Sequence, residues 1–421
     1  MKKILHFLIL GLVAISINSC SEDNISNSTD STLQASEGRI LVVATDNIID
    51  DQFVHAGYEV FLEDTATQDV TYLDVEESEM HKFISMSGDY VEIDRRNEGR
   101  PLKSRFVTIK EENQLKGRGG KGNNGDKGGG GGAKILLVMV SDATSTPNCS
   151  AEAMEYQLIG ADNAESAANL FTASSKGKFT IGSVTSVEVY INSITCSVTS
   201  LSRTVNNALS SLGVSTRGYN HIMYVTAPIC GYGGQATLNG NIVHNAYCSW
   251  PVVSPHELGH NIGMHHSTAY NSDGSVSPYG DPSCIMATSW VELNAPHRIE
   301  MGWLGKKSTL DVKTSGTYLL SPLELNNTPE KQVLVLDIGM INFNRPEKYY
   351  LSYRAPIGAF DNNISVSNKL SIHTWSGENS WVTRYVDAIA VGEVFTDAVN
   401  GVEFTNLGIQ NEVMTVSITY F

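Results

Sequence analysis

The sequence predicts an α+β protein built in three parts, and three observations carry that prediction. Residues 36–115 alternate short apolar runs with turns, residues 134–305 mix strand and helix patterns, and past residue 305 only strand patterns remain. We therefore expect a small β-barrel of OB type, a mixed central domain and a C-terminal β-sandwich over 306–421. A length of 421 residues suits two or three domains, and 41% hydrophobic residues suffice for their cores.

In chain order, the first element is a leader over residues 1–19. Met1-Lys2-Lys3 is a short basic start, and the apolar run over 4–17 is too short for a comfortable membrane span. It stops at Ile17-Asn18-Ser19-Cys20, which resembles a bacterial lipoprotein cleavage site with Cys20 as the lipidated residue. Residues 20–35 read as a tether, and the acidic start at Ser21-Glu22-Asp23-Asn24 resembles a surface-export signal. The expected location is the outer membrane and cell surface through a lipid anchor, or the secreted fraction if the leader is cut without lipidation.

Five apolar runs, at 39–43, 57–62, 70–73, 90–93 and 106–109, supply the strands of the first barrel. Residues 116–133 are dominated by glycine and read as a flexible linker, with Lys116, Arg118, Lys121 and Lys127 open to trypsin-like cutting. That arrangement suggests a propeptide; an accessory domain on a spacer is the alternative. No cysteine lies between Ser21 and Asn148, so an inhibitory segment here has to use a carboxylate or a steric plug.

In the central part we expect a strand over 134–140, a helix over 162–175, strand character over 179–191, a helix over 200–212 and a strand over 222–225. Ser254 is placed as the cap of the next helix and Pro255 in its first turn. That helix carries His256-Glu257-Leu258-Gly259-His260-Asn261-Ile262-Gly263-Met264-His265-His266, the pattern H-E-x-x-H-x-x-G-x-x-H. His256 and His260 are four residues apart and leave the same helix face, so both can hold one metal. Gly263 can adopt positive φ, ending the helix and swinging His266 back as a third ligand. Three neutral nitrogens leave one tetrahedral position for water, and Glu257 stands beside it as a general base. His265 falls one short of the pattern and is read as a neighbour.

About twenty residues past His266 comes the turn-rich stretch Tyr279-Gly280-Asp281-Pro282-Ser283-Cys284-Ile285-Met286-Ala287, which carries Met286, a residue type that fills irregular gaps. No tyrosine follows Met286 closely. Pro296 starts a last short helix.

Together these motifs resemble the gametolysin family of metzincin metallopeptidases, and the resemblance implies that Met286 forms an apolar floor under the ligands. Leu293-Asn294-Ala295-Pro296-His297-Arg298, Met301-Gly302-Trp303-Leu304, Ser174-Ser175-Lys176-Gly177-Lys178-Phe179 and Cys230-Gly231-Tyr232-Gly233-Gly234 also fit its pattern, and the resemblance covers roughly 134–305. It implies a zinc endopeptidase that hydrolyses peptide bonds of extracellular proteins or glycoproteins through zinc-activated water, with Glu257 as base. A non-catalytic adhesin or binding lipoprotein on the same scaffold is the second hypothesis, and the intact Glu257 favours the enzyme.

The remaining expectations are brief. One Zn2+ is implied; Asp273-Gly274 does not complete a calcium-loop pattern, so Ca2+ stays an open second ion. A net charge of −16 argues against nucleic acid. A monomer is expected. Beyond Cys20 the cysteines are Cys149, Cys196, Cys230, Cys248 and Cys284; we pair Cys149 with Cys196 and Cys230 with Cys248, leaving Cys284 over. Trp375 and Trp381 could bind a substrate or glycan if exposed, but such aromatics more often belong to the core.

Overall fold

Period-two alternation builds the first strands. In β1 (Ser36–Ile49), Ile40, Val42 and Ala44 point to one core. β1 pairs with β2 (Gln52–Asp64), and β2 with β3 (Val70–Asp74), both antiparallel. The helix α1 (Glu77–Ser85) buries Phe83 and Ile84 against them. β4 (Tyr90–Ile93) returns to the first half of β1, β5 (Leu102–Lys103) runs parallel to β3, and β6 (Val107–Ile109) pairs with β4. These elements belong to a computed structural model that describes residues 36–49, 52–93, 102–104, 107–109, 132–271, 273–287, 289–341, 345–377 and 382–421. The leader, Cys20, the tether, residues 116–131 of the linker and Trp381 lie outside the described residues.

The central sheet starts with β7 (Ala133–Ser141), every residue of whose interior serves a core. Ile135, Leu137 and Met139 face one layer, and Leu136, Val138 and Val140 the opposite one. A strand apolar on both faces belongs in the middle of a parallel sheet covered by helices. α2 (Ala151–Ile159) and α3 (Ala167–Ser175) cover the first face. β8 (Ile181–Tyr190) and β9 (His221–Val225) flank β7 in parallel, and α4 (Val198–Ser211) covers the second face. β10 (Tyr232–Thr237) runs antiparallel to β11 (Ile242–Asn245), which is parallel to β9. The order is β10-β11-β9-β7-β8, and β1 joins it at β10, so the N-terminal strands and the central strands share one sheet.

The helix α5 (Val253–Asn261) packs on β10 and β11. It starts one residue before the expected cap. Val252 occupies the capping position, and Ser254 lies inside the first turn, where its Oγ accepts from Asn245 Nδ2 at 2.8 Å. The final short helix, α6 (Ala295–Glu300), follows the expectation at Pro296. Its cap is Asn294, whose side chain accepts from His297 N at 3.0 Å. Before it come β12 (Ser267–Tyr270) and β13 (Val276–Ser277).

From β14 (Thr309–Asp311) onward the chain forms two sheets. β15 (Gly316–Leu320), β16 (Val333–Ile341) and β17 (Arg345–Tyr353) are followed by α7 (Gly358–Asp361), β18 (Leu370–Trp375) and β19 (Thr383–Ile389). β20 (Val394–Asp397), β21 (Val402–Gln410) and β22 (Val413–Tyr420) close the chain. One sheet has the order β13-β12-β19-β18-β17-β16-β14, the other β15-β22-β21-β20, and Leu336, Leu351, Phe404 and Val416 are buried between them. β12, which precedes residue 306, pairs with β19, so this sheet takes strands from both sides of that position. Trp375 is buried against Tyr350 and Val333, which places it in a core and removes it from any exposed binding face.

Both expected disulfides are corrected. The structure joins Cys149 to Cys248 and Cys196 to Cys230. The start of α2 meets the turn after β11, and the turn before α4 meets the turn before β10, with Cα–Cα distances of 6.1 and 5.3 Å. Cys284 is free and buried, as expected, and burial followed by the nearby Asp281 charge pushes its thiol up to about 12.

Candidate metal centre

The α5 spacing does what its sequence requires. His256 and His260 leave one face of the helix, with ring centroids 4.9 Å apart. Gly263 ends the turn at φ +109°, and a Cβ there would clash with Asn239 Oδ1, so only glycine fits. The chain then doubles back to bring His266 Nε2 to 3.1 Å from His260 Nε2. His265 points elsewhere, its Nδ1 3.4 Å from the Tyr58 hydroxyl.

Second partners orient the rings. His256 Nδ1 lies 3.0 Å from the Ile285 carbonyl and His260 Nδ1 2.8 Å from the Met264 carbonyl. A carbonyl only accepts, so both Nδ1 atoms carry the proton and both Nε2 atoms present a lone pair to the centre. Burial lowers the His260 pKa, which favours the neutral ring that a metal needs.

Met286 lies in a 3-10 turn, Ile285–Ala287, directly beneath α5. A Cβ on Gly259 would clash with Met286 Sδ, so the glycine lets the methionine close the floor of the site. The same turn supplies the Ile285 carbonyl that fixes His256. Glu257 is fully buried beside the cluster and packs on β10, so closely that a Cβ on Gly234 would clash with Glu257 Oε1. Burial, then the Asp46 charge, raises the Glu257 carboxyl well above the usual range.

Sequence alone does not single out two residues of the centre. Asp46 of β1 reaches into the histidines, its Oδ2 3.0 Å from His256 Nε2 and 3.6 Å from His260 Nε2, and its Oδ1 3.0 Å from His266 Nε2. Burial works to raise its carboxyl, but the neighbouring His266 and His256 hold it well below the usual carboxylate range. Tyr279 donates its hydroxyl to Asp46 Oδ1 and lies 3.5 Å from His266 Nε2. A tyrosine is thus present at the centre, seven positions before Met286 and not after it. Chain distance hides Asp46 completely; Tyr279 stands inside the Met286 stretch but carries no spacing signal.

The donor atoms of Asp46, His256, His260 and His266 all lie within 4.8 Å of one another and are all buried. Tetrahedral zinc with arms of about 2.0–2.1 Å spaces its ligands by roughly 3.3 Å. The observed separations bracket that edge, and three imidazole nitrogens with one carboxylate oxygen are ordinary zinc donors, so the residues fit the ion. Among the described residues this is the one cluster of three or more metal-binding side chains that converge in this way. Asp273 turns inward on its own loop, accepting from Ser275 N at 2.9 Å, and forms no part of a second such cluster.

The C-terminal strands brace the Met286 turn. Asp281 accepts from Ser267 Oγ and Ser283 Oγ, both at 2.6 Å, and from Asn294 Nδ2 at 2.9 Å, while His373 Nε2 of β18 stands 3.1 Å away. Arg354, just past β17, donates from Nη1 to the Ser283 carbonyl at 3.0 Å. The floor of the site is therefore held from both sides of residue 305.

No curated protein matches the chain. The family profile of gametolysin peptidase M11 matches residues 134–400, starting where the sequence resemblance starts and continuing past 305 as far as β20. That match takes in α5, the Met286 turn and the strands that brace them, and the chain belongs to the gametolysin peptidase M11 family of metallopeptidases.

Proposed function

We propose that this protein is a zinc endopeptidase of the metzincin type, made as a zymogen and exported as a surface lipoprotein to act on extracellular proteins or glycoproteins. The observation that carries the reading is the convergence of three Nε2 atoms beside a buried Glu257. His256, His260 and His266 would hold zinc, which when bound supplies Lewis acidity toward the scissile carbonyl and acidifies water.

The chain's own groups do the rest. Glu257 accepts the proton of the attacking water and delivers it to the departing amine. Tyr279, already aimed at the centre, is placed to donate its hydroxyl to the oxygen that gains charge. Ile285 and Met264 hold two imidazoles in the required tautomer, and Met286 keeps water from beneath them.

Further support concerns the flanking parts. The pairings β1–β2–β3–β5 and β6–β4–β1, with α1 between β3 and β4, support reading residues 36–109 as a small OB-type barrel. The two sheets after β14 support a sandwich, whose role here is to brace the site. Export and lipidation rest on the leader and Cys20.

The test uses the chain without its leader, nicked with trypsin and incubated with a denatured protein mixture whose new termini are read by mass spectrometry. We expect new internal termini that vanish with a zinc chelator and return when zinc is restored. Cleavage indifferent to the chelator would overturn the reading.

A further inference from the structure

We infer that Asp46 closes the metal site of the uncut chain as its fourth ligand, and that β1 lies where a polypeptide substrate has to lie. The chain would then carry its own inhibitor. This rests on the metallopeptidase reading above.

The pairing of β1 with β10 aims Asp46. The β1–β2 ladder shifts register between Thr45 and Asp46, and the β1–β10 ladder shifts between Asp46 and Asn47. Against β10 the register is unbroken from Val43 to Asp46, so Asp46 keeps the alternation of Ala44 and lies on the face where Glu257 packs on its partner Gly234. Asp46 is thereby directed into the three histidines, and both its oxygens reach Nε2 atoms at 3.0 Å. No other carboxylate of the described residues enters that cluster.

The register says what Asp46 displaces. Asp46 stands opposite Gly234, the residue on which Glu257 packs, so it faces both the metal position and the general base. Without β1, β10 would be the edge of the central sheet beside the metal. Extended peptides bind proteins by adding a strand to such an edge. Here Val43 to Asn47 already fill it, and Gln235 Nε2 donates to Thr45 Oγ1 at 2.9 Å while Leu238 N donates to the Val42 carbonyl at 2.8 Å.

Two facts favour a removable inhibitor over a permanent part of the site. The family match begins at residue 134, so it holds all three histidines and Glu257 but none of β1–β6. Between β6 and β7 the sequence carries Lys116, Arg118, Lys121 and Lys127 among glycines, where a protease can separate the two parts. Release exchanges the Asp46 carboxylate for water at the metal, with no covalent change at the site itself.

The test reads the metal directly. The uncut, leaderless chain would be loaded with Co2+ in a Glu257→Ala background, which prevents self-cutting, and its visible absorption recorded with and without acetohydroxamate, a small chelating probe. With Asp46 present, the spectrum should not respond to the probe. With Asp46→Ala, the band should shift as the carboxylate is lost, and the probe should shift it again. Asp46→Asn, which keeps the shape of the side chain, should give the same response and guards against a folding defect in the alanine variant. With Glu257 intact, uncut Asp46→Ala should still fail to cut protein substrates, because β1 keeps the β10 edge; trypsin nicking should restore cutting. Co2+ bound with identical spectra and identical probe responses in all forms would overturn the inference while leaving the metal site standing. Failure of every form to bind Co2+ would overturn both.

Discussion

Glu257→Gln is expected to reduce peptide cleavage by the nicked chain by about 10²–10⁴-fold, the range for loss of a positioned general acid–base group. Zinc content should be unchanged, because Glu257 is not among the converging donors. Glutamine keeps the volume of the side chain against Gly234, so the fold has no reason to move. Parallel assays of cleavage and metal content on both forms check this. A Glu257→Gln variant that cuts as well as the native chain would mean that another group takes the proton. A variant that also loses its zinc would mean that Glu257 supports the metal and not only the chemistry.

Arg354→Ala is expected to cost about 3–5 kcal/mol of stability, the range for breaking a buried ion pair from one side. Its guanidinium is buried and contacts Glu324 Oε1 at 2.6 Å and Asp361 Oδ2 at 2.8 Å through Nε, with a further short contact from Nη2 to Asp361. Removing it strands two carboxylates in the interior. Burial already pushes the Glu324 carboxyl up to about 7 even with Arg354 beside it. The loss also reaches the site, since Arg354 holds the Ser283 carbonyl at the start of the Met286 turn. Urea unfolding of the two forms measures the difference. A change below about 1 kcal/mol, the value of a solvent-screened pair, would show that water reaches this cluster. Arg354→Lys should recover little, because an ammonium cannot span both carboxylates as the guanidinium fork does.

What is legible in the sequence is what is local. Three ligands within eleven residues of one helix and turn can be read from periodicity alone, Gly263 follows from the same local geometry, and Met286 follows from the family resemblance. Apolar runs such as those of β7 and the first half of β16 also announce themselves. Asp46 does not, because nothing near it in the chain marks it; only the pairing of β1 with β10 brings it to the histidines. The disulfides escape for the same reason: neighbours in sequence look like partners, whereas the sheet order brings Cys149 to Cys248. Trp375 lies in a core, the commoner place for a strand aromatic, although the sequence alone does not show whether its face is covered. A break at residue 305 falls where the helical patterns stop, and the contacts of β12 with β19 and of His373 with Asp281 that cross it carry no local signal.

The account turns on where the metal sits, and the most direct measurement is zinc per chain in the purified protein, native and His260→Ala. One zinc in the native chain and none in the variant is the expected result. A native chain without zinc, or a His260→Ala chain that keeps its full share, would contradict it.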